Sequence, residues 1–264
     1  MFGVASGVNR GGGSGPLRLG VLTPSSNTIL EPATARLAAP LGDRLSVHFA
    51  RFPVTRIAAD AESHAQFALE SMLPAVRMLA DARVDAFLWS GTSASWEGLE
   101  TDDALVAAIR TETGRPATTS TLALLTALRA LGVRRYGLVV PYVASIAAAI
   151  ERNLGLAGYT CIATERHDLI ANWDFGSISA EAVADGVRRV AASRPDAIVI
   201  LCTNMRGAEV AAPLERELGI PVLDSVVVGF WGALRLLSID GADAGLGLGS
   251  LAGARPARGP LAHA

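Results

Sequence analysis

Short, continuous apolar runs alternate along most of this chain with longer stretches in which apolar positions return at helical spacing. Buried parallel strands read as unbroken apolar runs and the helices covering them as amphipathic segments, so the pattern predicts a parallel sheet wrapped in helices. Strands are expected at 18–23, 45–52, 86–89, 136–140, 160–164, 197–201 and 221–223. Helices are expected at 28–38, 59–80, 104–113, 121–130, 145–154, 180–192, 208–218 and 226–237. The fold class is therefore α/β.

The alternation repeats on a larger scale. "LGVLTPS" from Leu19 lies over "YGLVVPY" from Tyr136, and "DAFLWSGTS" from Asp85 lies over "DAIVILCTN" from Asp196 without a gap. The first pair is offset by 117 positions and the second by 111, a drift that one difference in loop length absorbs. The expected organisation is two pseudo-symmetric Rossmann-like lobes, at 17–117 and 118–240, with the last helix free to pack on the first lobe. Ligands of open α/β sheets bind beyond the carboxyl ends of the strands, so the loops after these four strands should face a common cleft. Chance similarity between βα units is the competing explanation, and the matched Asp and Thr of the second pair speak against it.

The ends of the chain break the pattern. Residues 1–16 are rich in Gly, and 241–264 in Gly, Ala and Pro without any period, which predicts a flexible leader and a flexible tail. The glycines of "DGADAGLGLG" invite a dinucleotide reading, but they lack the strand-to-helix setting that such a loop requires. The longest strongly apolar stretch, 226–237, is too short to span a bilayer, which takes roughly 18 to 20 residues.

Charge narrows the partners. With 23 basic and 25 acidic residues spread along the sequence there is no polycationic stripe, so neither nucleic acid nor a membrane surface is expected as a partner. The two cysteines, Cys161 and Cys202, have no metal-ligand spacing, and with nothing marking secretion both read as thiols of a reducing cytoplasm. The four histidines are scattered and read as structural or solvated, and no metal site is expected.

The aligned strand ends carry the candidate chemistry. Cys202 and Gly91 fall at equivalent positions on opposite walls of the expected cleft. A thiol there, ahead of a helix, should have a pKa lowered toward neutrality and could exchange a proton near pH 7; an inert buried cysteine is the competing reading. Cys161, within a strand, reads as core. On the other wall Thr92, Ser93 and Ser95 offer hydroxyls, and Gly91 allows close approach to the backbone: an anion cradle, or a plain helix cap. Pro24, Ser25, Ser26 and Asn27 could likewise cap the first helix or bind a carboxylate, and Tyr142 could donate into the cleft or merely end its strand. Trp89, Trp96, Phe230 and Trp231 are either cleft wall or core. Arg51 and Arg206 are candidates for attracting an anion.

The motifs "LTPSSNT", "SGTSAS", "VVPY" and "LCTN", followed by "LGIPVLDS", resemble the aspartate/glutamate racemase superfamily, in the branch that contains maleate cis-trans isomerase and arylmalonate decarboxylase. The resemblance runs from about Leu17 to Leu237. It implies a cofactor-free, metal-free enzyme whose active site lies between two pseudo-symmetric lobes. Typical racemases of the group present one cysteine from each lobe, whereas this chain has Gly91 where the first is expected, which disfavours two-thiol racemisation. In the decarboxylase branch the resemblance implies that Gly91, Thr92, Ser93 and Tyr142 hold the carboxylate that stays, while Cys202 delivers the proton. Thr203 and Asn204, which follow that thiol, are expected to bind the substrate. Asn27 would inherit a substrate-binding role from the isomerase, and Asn172 could supply a second amide.

The expected function is decarboxylation of a small dicarboxylic acid through an enediolate protonated by a single cysteine. The alternatives are maleate isomerisation, or a relative of the racemases, and a non-catalytic carboxylate-binding protein. The expected partner is a small carboxylic acid, and a homo-oligomer is compatible with the sequence.

Overall fold

The computed structural model describes residues 15–240 and 246–254. The first sheet is formed by β1 (Leu17–Pro24), β2 (Leu45–Phe52), β3 (Ala86–Trp89) and β4 (Ala117–Thr119), in the order β2-β1-β3-β4. Its helices are α1 (Leu30–Ala38), α2 (Ala61–Ala65), α3 (Leu69–Asp81), α4 (Ala94–Glu97), α5 (Glu100–Thr113) and α6 (Ser120–Ala130). The second sheet is formed by β5 (Arg135–Tyr142), β6 (Thr160–Leu169), β7 (Ala197–Ile200) and β8 (Val222–Asp224), ordered β6-β5-β7-β8. With it go α7 (Ala144–Leu156), α8 (Asn172–Phe175), α9 (Ala180–Ala191), α10 (Gly207–Leu218) and α11 (Ser225–Leu236).

All strand pairs within the two sheets are parallel, and the sheets share one topology, so the fold is the α/β class of two like lobes that the apolar pattern predicts. The matched aspartates of "DAFLW" and "DAIVI" explain part of the repeat. Asp85 Oδ2 accepts from the Arg18 N–H at 2.7 Å, and Asp196 Oδ2 accepts from the N–H groups of Arg134 and Arg135 at 2.9 and 2.8 Å. Each carboxylate ties the start of its strand to the neighbouring one. The two backbone N–H groups hold the Asp196 carboxyl below its ordinary value.

Four local expectations need correction. The helix expected at 59–80 is two helices, because the chain is extended at Ala68 and the Gln66 amide donates to the carbonyls of Arg56 and Ser63 instead of facing solvent. The strand expected to stop at 164 continues to Leu169: β6 is a half-exposed edge strand, so its pairing with β5 continues through the polar run Glu165–Asp168 after the apolar signal has ended. β4 is too short, and too poor in large apolar residues, to stand out in the sequence. Residues 246–254 were expected in a flexible tail, yet Leu246, Leu248 and Leu251 are buried and a 3-10 turn covers Gly249–Gly253. That segment is pinned by Glu215, which accepts from the N–H and hydroxyl of Ser250 at 2.7 and 2.8 Å. The expected leader up to residue 14, and the expected tail at 241–245 and 255–264, lie outside the described residues.

One helix crosses between the lobes. α11 follows the last strand of the second sheet but packs on α6, α1, β3 and β4. Apolar on every face, it is buried from Ser225 to Leu234, as a helix between two layers must be. Asp224 caps it by accepting from the N–H groups of Val226 and Val227. No helix among the described residues is long and apolar enough to cross a membrane.

Candidate active site

The carboxyl ends of β1, β3, β5 and β7 converge. After β3 the chain turns through Gly91, Thr92 and Ser93 into α4, and the turn is closed by the N–H and hydroxyl of Ser95, which both donate to the Thr92 carbonyl at 3.0 and 2.6 Å. Ser93 makes no capping bond to this helix, and its side chain lines a cavity instead. At the end of β5 the Tyr142 hydroxyl lies 3.3 Å from that of Thr92. The Tyr142 ring is wedged between Trp96 and Phe175, with centroids 5.1 and 5.4 Å away.

Cys202 lies two residues beyond β7, and its sulfur accepts from the Asn204 N–H at 3.4 Å. The expectation of a thiol pKa lowered by a helix start is overturned. α10 begins only at Gly207, and Cys202 is 2% exposed. Burial pushes the thiol up to about 12, against the opposing pull of the Tyr142 hydroxyl and the Asn204 N–H. The same burial raises Tyr142 well above its ordinary value, and the neighbouring Cys202 adds to the rise. Both groups are therefore neutral at pH 7, and each holds a proton it can give.

These residues enclose a cavity of about 20 Å³. Of the residues singled out in the sequence, Pro24, Gly91, Thr92, Ser93, Tyr142, Asn172, Cys202 and Thr203 line it. Ser25, Ser26, Asn27 and Asn204 do not line it; they hold it together. Ser25 and Ser26 bond the backbone of Val54, and Ser26 also accepts from the Asn172 amide at 2.8 Å. Asn27 Oδ1 caps α1 by accepting from Ile29 and Leu30, while its Nδ2 donates to Thr203 Oγ1 at 3.2 Å in the other lobe. Asn204 Oδ1 accepts from the Thr28 N–H at 2.9 Å, and its amide donates to the Asn172 carbonyl. Asn27 and Asn204 thus stitch the lobes together from opposite sides.

Trp89 and Trp96 are cavity wall, whereas Phe230 and Trp231 are core of α11. Arg51 is committed to Glu31 and to the carbonyls of Ser25 and Asn27, and Arg206 pairs with Glu209 at the surface; neither side chain lines the cavity. Cys161 is half-buried within β6 beside Thr164 and lies outside the cavity. Sequence reasoning missed Val54, Ile57 and Phe67, which come from the segment between β2 and α3 and roof the cavity. Pro53, directly after β2, is the one sequence signal that this segment turns back over the strand ends. Among the described residues no cluster of three or more His, Cys, Asp or Glu is placed to hold a metal.

Two like parallel-sheet lobes, stitched by asparagines around a cavity lined by one thiol, make up the site, and comparison with known proteins assigns the chain to a family. The chain belongs to the arylmalonate decarboxylase family, whose model matches residues 48–249. Arylmalonate decarboxylase of Bordetella bronchiseptica is 32% identical over 197 residues, covering 69% of this chain and 77% of its own length. Among solved structures, a mutant of Nocardia farcinica maleate cis-trans isomerase with a covalently bound succinylcysteine intermediate is 28% identical; it covers 88% of this chain and 96% of its own, with a TM-score of 0.77. An arylmalonate decarboxylase structure at 24% identity and a TM-score of 0.73, covering 84% of this chain and 92% of its own, shares the fold.

Proposed function

We propose that the protein is a cofactor-independent decarboxylase of a malonate-type diacid, with Cys202 as its single proton donor. The observation that carries this reading is the pairing across the cavity of one protonated thiol with the Gly91–Ser93 turn and the Tyr142 hydroxyl. In this reading the carboxylate that stays is held by the hydroxyls of Thr92, Ser93 and Tyr142. The other sits against the apolar roof of Val54, Ile57 and Phe67, where loss of hydration raises its energy. The bond from the central carbon to that carboxylate breaks, CO2 leaves, and the electron pair passes into the remaining carboxylate as an enediolate. Fixed donors stabilise that charge. The Cys202 S–H then protonates the carbon, and the thiolate recovers its proton from solvent. A thiol kept protonated by burial suits this role, because it must arrive as an acid. A reducing cytoplasm would keep it free.

Maleate isomerisation is the second reading, favoured by the Nocardia isomerase, which at 28% identity covers 87% of this chain. A nucleophile from the first lobe is lacking, since Gly91 stands there and the Trp89 ring fills the space beside it. Cys202 would then have to attack the double bond itself.

Incubation with phenylmalonate and, separately, with maleate in D2O, followed by NMR, tests these readings. Singly deuterated phenylacetate that disappears in Cys202→Ser is the expected result. Fumarate formed from maleate, with phenylmalonate untouched, would transfer the assignment to the second reading, and turnover undiminished in Cys202→Ser would remove the thiol from the chemistry.

A further inference from the structure

On the far side of Trp96 from the catalytic cavity is a second void of about 520 Å³, enclosed by α4, α6, α7 and the start of α5. Pockets for small molecules run from roughly 300 to 1,000 Å³. Its apolar walls come from Trp96, Leu99, Leu125, Leu156 and Tyr159. Leu156 is 83% exposed, so a large apolar side chain stands uncovered at the rim.

Four charged side chains complete the lining, and they differ in what they are already doing. Glu97 is committed: His64 Nδ1 lies 2.7 and 2.6 Å from its two oxygens, and the Trp96 indole N–H donates to it at 3.0 Å. The Glu100 carboxylate is folded against Gly98, at the junction of α4 and α5. Arg129, in the last turn of α6, and Arg152, in α7, have neither a carboxylate nor a hydrogen-bond partner among the described residues. Two unpaired guanidiniums beside an apolar wall suit an organic anion, because the donor fork of arginine matches the oxygens of an acid group.

We infer that this void is a second ligand site, for an organic acid with an aromatic body, and that its occupant opposes binding in the catalytic cavity. The acid group meets Arg129 and Arg152, and the ring covers Leu156 and Tyr159. The opposition runs through Trp96, which lines both spaces. The catalytic cavity, about 20 Å³, has room for roughly one water, so a diacid enters only if a wall moves. An empty outer void leaves Trp96 room to recede, and a filled one does not. Asn153 adds a second link: it lines the outer void, and its amide donates at 3.1 Å to the carbonyl of Ser95, the residue that closes the Gly91–Ser93 turn. Neither part of the inference depends on which acid the protein turns over.

The probe is 8-anilinonaphthalene-1-sulfonate, an aromatic sulfonate whose fluorescence reports binding. It is titrated into wild type, Arg129→Ala/Arg152→Ala and Ala157→Trp, whose new ring takes up the void; all three positions are exposed. The expected result is saturable binding to wild type, weakened at least tenfold in both variants. Access to the catalytic cavity is read by iodoacetamide labelling of Cys202 at pH 10, with Cys161 as the internal reference. Saturating probe should slow Cys202 at least threefold in wild type, leave Cys161 unchanged, and have no effect in the double arginine variant. Should one variant fail to fold, the other decides. Absence of saturable binding, or binding unchanged in the folded variants, overturns the site. Binding that follows the variants while Cys202 labels at its usual rate overturns the opposition through Trp96.

Discussion

The indole of Trp89 occupies the volume that any side chain on Gly91 would need, with Cζ2 only 2.0 Å from the ideal Cβ position. Overfilling a packed site typically costs about 1–3 kcal/mol. Gly91→Ala should therefore be destabilised by about that amount, and the cost should largely vanish in a Trp89→Leu background. Denaturant unfolding of the four proteins of this cycle checks it. Equal costs in both backgrounds would show that the two residues do not compete for space.

Tyr142→Phe removes the hydroxyl that faces Thr92 and approaches Cys202. If this hydroxyl supports the enediolate, kcat should fall by about 10² to 10³, the usual loss for one donor in such a site. Stability should change by only about 1 kcal/mol, since the ring contacts with Trp96 and Phe175 survive. A kcat within threefold of wild type would exclude the hydroxyl from the cradle.

With burial pushing its pKa up to about 12, Cys202 carries a thiolate fraction of about one part in 10⁴ at pH 8. Iodoacetamide at that pH should label the half-exposed Cys161 well before Cys202. Labelling of Cys202 should increase steadily as the pH is raised through 10. Peptide mass spectrometry separates the two sites, and rapid alkylation of Cys202 at pH 7 would contradict its burial.

Asp102 and Asp224 are fully buried carboxyls whose burial pushes them up to about 7. Because about 3.9 is the unfolded value, the native state binds these protons more tightly; the stability they contribute is complete below pH ~4 and is lost as the pH rises toward 7. Asp102→Asn keeps the shape without the charge. Relative to wild type it should therefore gain about 3 kcal/mol between pH 5 and 8. Burial of His167 lowers its pKa and acts in the opposite direction, but equally in both proteins, so it cancels from the difference. A flat difference curve from denaturant unfolding at several pH values would refute the shift at Asp102.

The two-lobe architecture was legible because its cause is local: buried parallel strands need unbroken apolar runs, and the duplicated "DA" starts mark where an aspartate fastens neighbouring strands. The cavity walls at Gly91–Ser93, Tyr142 and Cys202 were legible for the same reason, as they are strand ends. The roof was not. Between β2 and α3 the chain is held over the cleft by bonds to Gln66 and Ser63 within the segment and by backbone bonds between Thr55 and Asn172 and between Ile57 and Ile170, neither of which the apolar pattern announces. The acidity of Cys202 was misjudged for a related reason, since it depends on how completely that roof and Tyr142 exclude water. Asn27 and Asn204 looked like ligand groups from the sequence, but each can satisfy several backbone and side-chain partners at once, and the interface between the lobes claims them.

Because α11 is supplied by one half of the chain and buried by the other, neither half is a complete folding unit. Cut between α6 and β5, the amino-terminal fragment would display a bare apolar strip over α1, β3 and β4, and would aggregate or seek a surrogate for the missing helix. A single-lobe precursor of such a chain would have had to live as a pair, each copy lending its final helix to the other.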